Sequence, residues 1–226
     1  AVEPEDATFR QLLDASHQLD LVFGFVRRDE RNRYYIAQAY LSGGECVHVH
    51  HKIYLPTYTM FDDGRYFDAG THIRAFDTRF GRMGMLICED FWHISAPYVL
   101  WQDGADIMLL SSCSPTRGIE ESEKGRMTSS RWVELMNQAY GSTFTDYVIH
   151  CNRVGYEDGK NFWGGSSVVD PNGEFVAQAP YFEEQLLTHT IDLNQIRRTR
   201  SRLPLLRDEQ PHLVQREMAR ILSKKL

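Results

Sequence analysis

No stretch of this 226-residue chain is apolar for long enough to span a bilayer, and its first residues carry no signal-peptide pattern. Cysteine is scarce. The four thiols, at 46, 88, 113 and 151, have neither disulfide-scaffold nor zinc spacing, which points to a reducing, cytoplasmic setting. Basic residues are outnumbered, 25 Lys and Arg against 31 Asp and Glu, for a net charge of −6. With no basic run interleaved with aromatics, a nucleic-acid surface is excluded. A glycine-rich phosphate loop and a G-x-S-x-G elbow are missing, which argues against nucleotide and serine-hydrolase chemistry. Nothing repeats, and no segment has linker composition, so residues 1–226 read as one domain. What is there is globular: 42% apolar and 12% aromatic residues, enough for one sizeable core.

Periodicity predicts a helix over 6–18, with Asp6 as N-cap and Phe9, Leu12 and Leu13 on one face. Strands follow at 19–26, 34–41 and 46–52, then a pair at 73–77 and 83–87 turning through Gly81–Gly84. A helix over 95–101 tolerates Pro97 in its first turn. After a buried strand at 106–111, a long helix runs from Ile119 to Tyr140 and stops at Gly141 as a C′ glycine. Strands at 147–152, 166–170, 175–179 and 186–191 complete the body, with a turn at 171–173. From Leu193 the tail is first basic (Arg197, Arg198, Arg200, Arg202), then amphipathic. Strands alternating with helices indicate a layered α/β fold.

The chemistry centres on Phe80–Trp92. Cys88 ends the apolar run Met83–Ile87, and a polar turn, Glu89-Asp90, follows. A thiol at a strand end is held rigidly at the mouth of a fold, where the next backbone N–H can point at a developing oxyanion. A free cysteine is equally a small buried hydrophobe. His48, His50 and His51 cluster, and alternation puts 48 and 50 on one strand face, as metal ligands would be. A third ligand has no source and Lys52 would repel a cation, so they read as sheet residues and no metal or other cofactor is expected.

Three motifs in a fixed order extend this reading. His51-Lys52-Ile53-Tyr54-Leu55-Pro56 precedes Tyr58, Phe61, Arg65 and Phe67. Ile87-Cys88-Glu89-Asp90 follows, then Asn152-Arg153-Val154-Gly155, Asn161–Ser166 and Asp170-Pro171-Asn172-Gly173. This series resembles the nitrilase superfamily, the carbon–nitrogen hydrolases, and within it most closely the amidase domains of glutamine-dependent NAD synthetases and their stand-alone relatives. The resemblance implies a four-layer α-β-β-α sandwich that pairs into homodimers or larger homo-oligomers, with residues 193–226 packing on a partner subunit.

The same resemblance makes Cys88 the nucleophile and Lys52 the cation that lowers its pKa and binds the oxyanion. Asp63 takes the place of a second acidic residue, although a solvated pair with Arg65 is the competing reading. Tyr58, Glu89, Ser114 and Trp163 are expected to line the substrate pocket. The family draws its general base from a glutamate in a P-E segment after its second strand. Here Pro4-Glu5 precedes a helix with no strand before it, so the first strand–helix unit and that glutamate are expected to be absent. The expected function is cysteine-dependent hydrolysis of small carboxamides through a thioester. A glutaminase feeding ammonia to a synthetase is the alternative, with the ATP loop then on another chain or segment. A catalytically silent scaffold is the third reading.

Overall fold

The computed structural model describes residues 6–117 and 127–224. Helix α1 (Ala7–Ala15) leads into strands β1 (Leu21–Arg28), β2 (Tyr34–Ser42) and β3 (Glu45–His51), an antiparallel sheet in that order. Alternation along β2 decides what each face does. Ala39 and Leu41 meet α1, where Phe9 packs edge-on against Phe23 and Phe25 at 5.7 and 5.8 Å. Gln38 and Tyr40 point the other way, toward a second sheet.

The short helix α2 (Asp63–Tyr66) precedes the hairpin of β4 (Phe76–Thr78) and β5 (Gly81–Ile87). Next come α3 (Ser95–Gln102), β6 (Ile107–Ser112), α4 (Thr128–Phe144), β7 (Tyr147–Asn152), and the hairpin β8 (Val154–Glu157) with β9 (Lys160–Trp163). Strands β10 (Ser167–Val169) and β11 (Phe175–Gln178) complete a sheet ordered β11-β10-β7-β6-β5-β4. Its centre, β5-β6-β7, is parallel, and its near-continuous apolar runs are those of strands covered on both faces. Met83, Met85, Ile107 and Tyr147 meet the first sheet; Leu86, Met108, Leu110 and Val148 meet α3 and α4. The result is the expected four-layer α-β-β-α sandwich. All three parallel strands end at one edge, the place where open α/β sheets bind ligands.

Several boundaries differ from the sequence reading, each for a physical reason. The turn before β5 lies at Arg79-Phe80; Gly81, at φ 113°, opens the strand, and Gly84 lies inside it, where a Cβ would fall 2.6 Å from Leu100 Cδ1. The expected start of the long helix at Ile119 lies outside the described residues. That helix also runs past Gly141 and ends at Thr145, which takes the left-handed cap at φ 59°. Gly141 serves close packing instead: a Cβ there would sit 2.7 Å from Val169 Cγ1 and 2.9 Å from the Asp170 carbonyl. The segment 186–191 is no strand, and Leu186 stands in solvent. Asp6 occupies the N-cap position of α1 without a side-chain capping bond. The unforeseen β8–β9 hairpin turns at Asp158-Gly159, both at positive φ, as a D-G turn requires. Among the described residues no helix is long and apolar enough to cross a membrane.

The tail forms α5 (Leu193–Arg202), α6 (Leu205–Asp208) and α7 (Pro211–Leu222). Helix α5 is pinned by Arg200, which donates to Asp106 Oδ1 at 2.6 Å, to the Ala105 carbonyl at 3.0 Å and to the fully buried Asp146 at 2.5 Å. Burial pushes the Asp146 carboxyl well above the usual carboxylate range, and Arg200 opposes that push. Arg200→Ala therefore strands a buried carboxyl, at a cost of about 3–5 kcal/mol. A carboxyl whose folded pKa is raised above its unfolded value loses stability as pH rises through the folded value. Urea denaturation of this variant should show a larger deficit at pH 8 than at pH 5, and a small, pH-independent deficit would contradict the assignment.

Candidate active site

Cys88 ends β5 at φ 47° and opens a 3₁₀ turn through Trp92. The left-handed region costs a non-glycine residue roughly 1–2 kcal/mol, so something must hold it there. Asp90, fully buried, does so. Its Oδ2 accepts from the Ile87 N–H at 3.0 Å and from His50 Nε2 at 2.8 Å. Its Oδ1 accepts from the Ile53 and Tyr54 N–H groups, both at 2.9 Å. One carboxylate thus ties the Cys88 turn to the segment that follows Lys52.

Lys52 is buried, and its Nζ donates to Asp63 Oδ2 at 2.6 Å. Asp63 is positioned by its place at the start of α2, whose backbone is tied down by the Asp63 N–H to Pro56 carbonyl bond. Arg65, the other possible partner, instead faces Asp62 at 3.7 Å. Lys52, Asp63 and Cys88 line one cavity of about 720 Å³ between the two sheets. Cys88 also lines a second cavity of about 280 Å³ on its helix side, walled by Tyr58, Glu89, Ser114, Arg117 and Trp132. Burial pushes the Cys88 thiol up to about 11, while Lys52 and the Cys113 backbone amide pull it down. The lysine acts in the expected direction, but burial outweighs it. Burial thus favours the protonated thiol at neutral pH.

Tyr58 donates its hydroxyl to Glu89 Oε2 at 2.8 Å, and burial followed by that bond raises the phenol to about 12. Ser114 is buried, its N–H donating to Asn152 Oδ1 at 3.0 Å; Asn152 also accepts from Ser112, which in turn meets His150 at 2.7 Å. Trp163 lines neither cavity: its indole is fully buried against His150 and Tyr181, so it serves the core where a pocket wall was expected. The histidine cluster is dispersed among partners. His48 stacks on Phe76, His51 on Tyr35, and His50 binds Asp90; burial lowers His48 and His51 to about 4. Among the described residues no three His, Cys, Asp or Glu side chains are grouped so as to hold a metal ion. Pro4-Glu5 lies outside the described residues. Arg117 and Trp132 were missed by sequence reasoning, because neither belongs to a motif and only the fold brings them to Cys88.

A model of the family described as carbon-nitrogen hydrolase matches residues 1–201. The chain belongs to the carbon–nitrogen hydrolase family. The relatives it matches include an amidase. It is 31% identical over 189 residues to a glutamine-dependent NAD(+) synthetase of Acinetobacter baylyi, covering 84% of this chain and 33% of that protein. It is 27% identical to an N-carbamoylputrescine amidase of Arabidopsis thaliana, covering 75% of this chain and 58% of the amidase. The chain thus spans about a third of that synthetase's length. In structure it is similar to Nit3 of Saccharomyces cerevisiae, a member of the nitrilase superfamily, with a TM-score of 0.76 at 21% identity over 93% of this chain and 73% of Nit3. That likeness concerns the fold.

In this fold Asp90 is the residue whose loss should be felt furthest. Asp90→Asn keeps the shape but places an NH₂ where an acceptor stood, leaving two donors unpaired at about 1–3 kcal/mol each. The variant should be destabilised by at least about 2 kcal/mol in urea and should expose Lys52 to faster acylation by an amine-reactive probe. Full stability with unchanged Lys52 labelling would refute the clamp.

Proposed function

We propose that this chain hydrolyses small carboxamides through a thioester on Cys88. The observation that carries the reading is the meeting of Cys88 with the Lys52–Asp63 pair in one cavity. Cys88 Sγ attacks the amide carbonyl carbon, and the thiol proton passes to the Asp63 carboxylate. The oxyanion is stabilised by the Lys52 ammonium and the Glu89 backbone N–H; one such donor is typically worth about 10²–10³ in rate. Asp63 then gives its proton to the leaving nitrogen, and ammonia or an amine departs. A water, deprotonated by the same carboxylate, cleaves the thioester and returns Cys88. Lys52 cannot take the base role while it remains a charged partner of Asp63.

A second reading, glutamine as the amide donor, is favoured by the opposite charges on the smaller cavity. Glu89, oriented by Tyr58, would receive an ammonium, and Arg117 would receive a carboxylate. Arg117 Nη2 already lies 2.6 Å from Thr59 Oγ1 and its guanidinium packs 5.3 Å from the Phe61 ring, which places it at the rim. The ammonia acceptor, if this reading holds, belongs to a separate synthetase unit. Four unpaired thiols support residence in a reducing cytoplasm.

The test is a turnover panel of glutamine and simple aliphatic amides. Cys88→Ala should abolish release of ammonia. Asp63→Asn should lower kcat about 10²–10⁴-fold, the usual worth of general-base assistance. Arg117→Ala should raise KM for glutamine while leaving propionamide unchanged. Turnover that survives Cys88→Ala would overturn the mechanism, and a folded chain inert toward every amide would favour the silent scaffold.

A further inference from the structure

Three of the four thiols, Cys88, Cys113 and Cys151, line the same cavity between the sheets, although amide hydrolysis uses only one. The strand register ranks them. Ile87 pairs with Ser111 across the parallel β5–β6 ladder, and Ser111 pairs with Cys151 across β6–β7. Cys88 and Cys113 therefore leave adjacent strands one step out of register. Continued regularly, strands about 4.8 Å apart with about 3.3 Å per residue would bring these two positions to about 6 Å between Cα atoms. That falls inside the range a disulfide spans, about 4.4–6.8 Å. Cys151 is a further strand away from Cys88 and one strand over from Cys113, offset by two residues. The Cys113 backbone N–H is directed at the Cys88 sulfur, an independent sign of their closeness. Cys113 is exposed where Cys88 is partly covered, so it can approach without unfolding the strand.

We infer that Cys113 is a resolving thiol for Cys88, forming a reversible Cys88–Cys113 disulfide when the active site meets a hydroperoxide. Cys88 gives its proton to the Asp63 carboxylate and its sulfur attacks the peroxide: an S–O bond forms, the O–O bond breaks, and the alcohol or water leaves with that proton. Cys113 then attacks the Cys88 sulfur, so that an S–S bond forms, the S–O bond breaks and water departs. The sulfur pair loses two electrons and the peroxide gains two. Without Cys113 the sulfenic acid can climb to the irreversible sulfinic and sulfonic states. The disulfide thus both silences the hydrolase and preserves its nucleophile. The inference shares with the proposed function only the reactivity of Cys88, and its test reads sulfur chemistry with no amide present.

The protein is treated with a few equivalents of hydrogen peroxide, blocked with iodoacetamide and digested without reduction. No Lys or Arg lies between Arg82 and Arg117, so trypsin leaves both cysteines on one peptide and chymotrypsin is used. The expected product is a Cys88–Cys113 linked pair that dithiothreitol returns to two free thiols. Cys113→Ser should give Cys88 sulfinic and sulfonic acid at the same dose, with at least tenfold less thiol recovered. Cys151→Ser should behave as the unmodified chain, and circular dichroism of each variant guards against unfolding. A link from Cys88 to Cys151, a link between chains, or equal overoxidation with and without Cys113 would overturn the inference.

Discussion

The Asp90 carboxylate is the constraint on which the rest of the site depends. It is fully buried, and its two oxygens accept from Ile53, Tyr54, Ile87 and His50. These four donors come from both sheets and from the segment that follows Lys52. A buried carboxylate is tolerable only when its lone pairs are filled, and filled it becomes a rigid joint. The joint fixes the left-handed turn at Cys88 and, through the chain that follows His51, the height of Lys52 above the sheet edge. Asp63 is held in turn by Lys52. Loss of the carboxylate would therefore scatter three functional groups that it does not itself touch.

Burial of Cys88 has a cost and a use. Taking Cys88 out of water raises the thiol to about 11, which favours its protonated form until a neighbouring group takes the proton. The same exclusion of water strengthens every electrostatic contact an oxyanion would make. Lys52 offsets part of the desolvation, and its pairing with Asp63 keeps a carboxylate beside the reacting atoms. Two cavities meet at Cys88, one between the sheets and one against α4, so the thiol can be reached from the helix side while the Lys52–Asp63 pair stays covered.

Much of this was legible in the chain. Apolar runs at 83–87 and 107–110 are what buried central strands require. Cys88 stood out because it follows an apolar run and precedes a polar turn, and Lys52 because it closes a strand inside a motif that resembles the family's. The Asp63 partner could not be chosen from sequence, since Arg65 is nearer along the chain than Lys52. Gly141 misled because a glycine late in a helix usually marks its end, whereas here the absent side chain makes room for Val169 and the Asp170 carbonyl. Trp163 misled because an aromatic beside a motif reads as a pocket wall until tertiary packing buries it. Arg117 and Trp132 carried no signal at all: only the fold brings the segment after β6 and helix α4 to the cavity that Cys88 lines.

The most direct test of the account is to catch the acyl group on sulfur. Enzyme mixed with excess glutamine or propionamide is quenched in acid within milliseconds to seconds, then weighed intact and as chymotryptic peptides. The account predicts a transient mass increase equal to the acyl group, confined to the peptide bearing Cys88 and removed by hydroxylamine. It predicts slower accumulation in Asp63→Asn than in the unmodified chain. Ammonia release with no adduct at any time, or an adduct on Cys46, Cys113 or Cys151 instead, would contradict it.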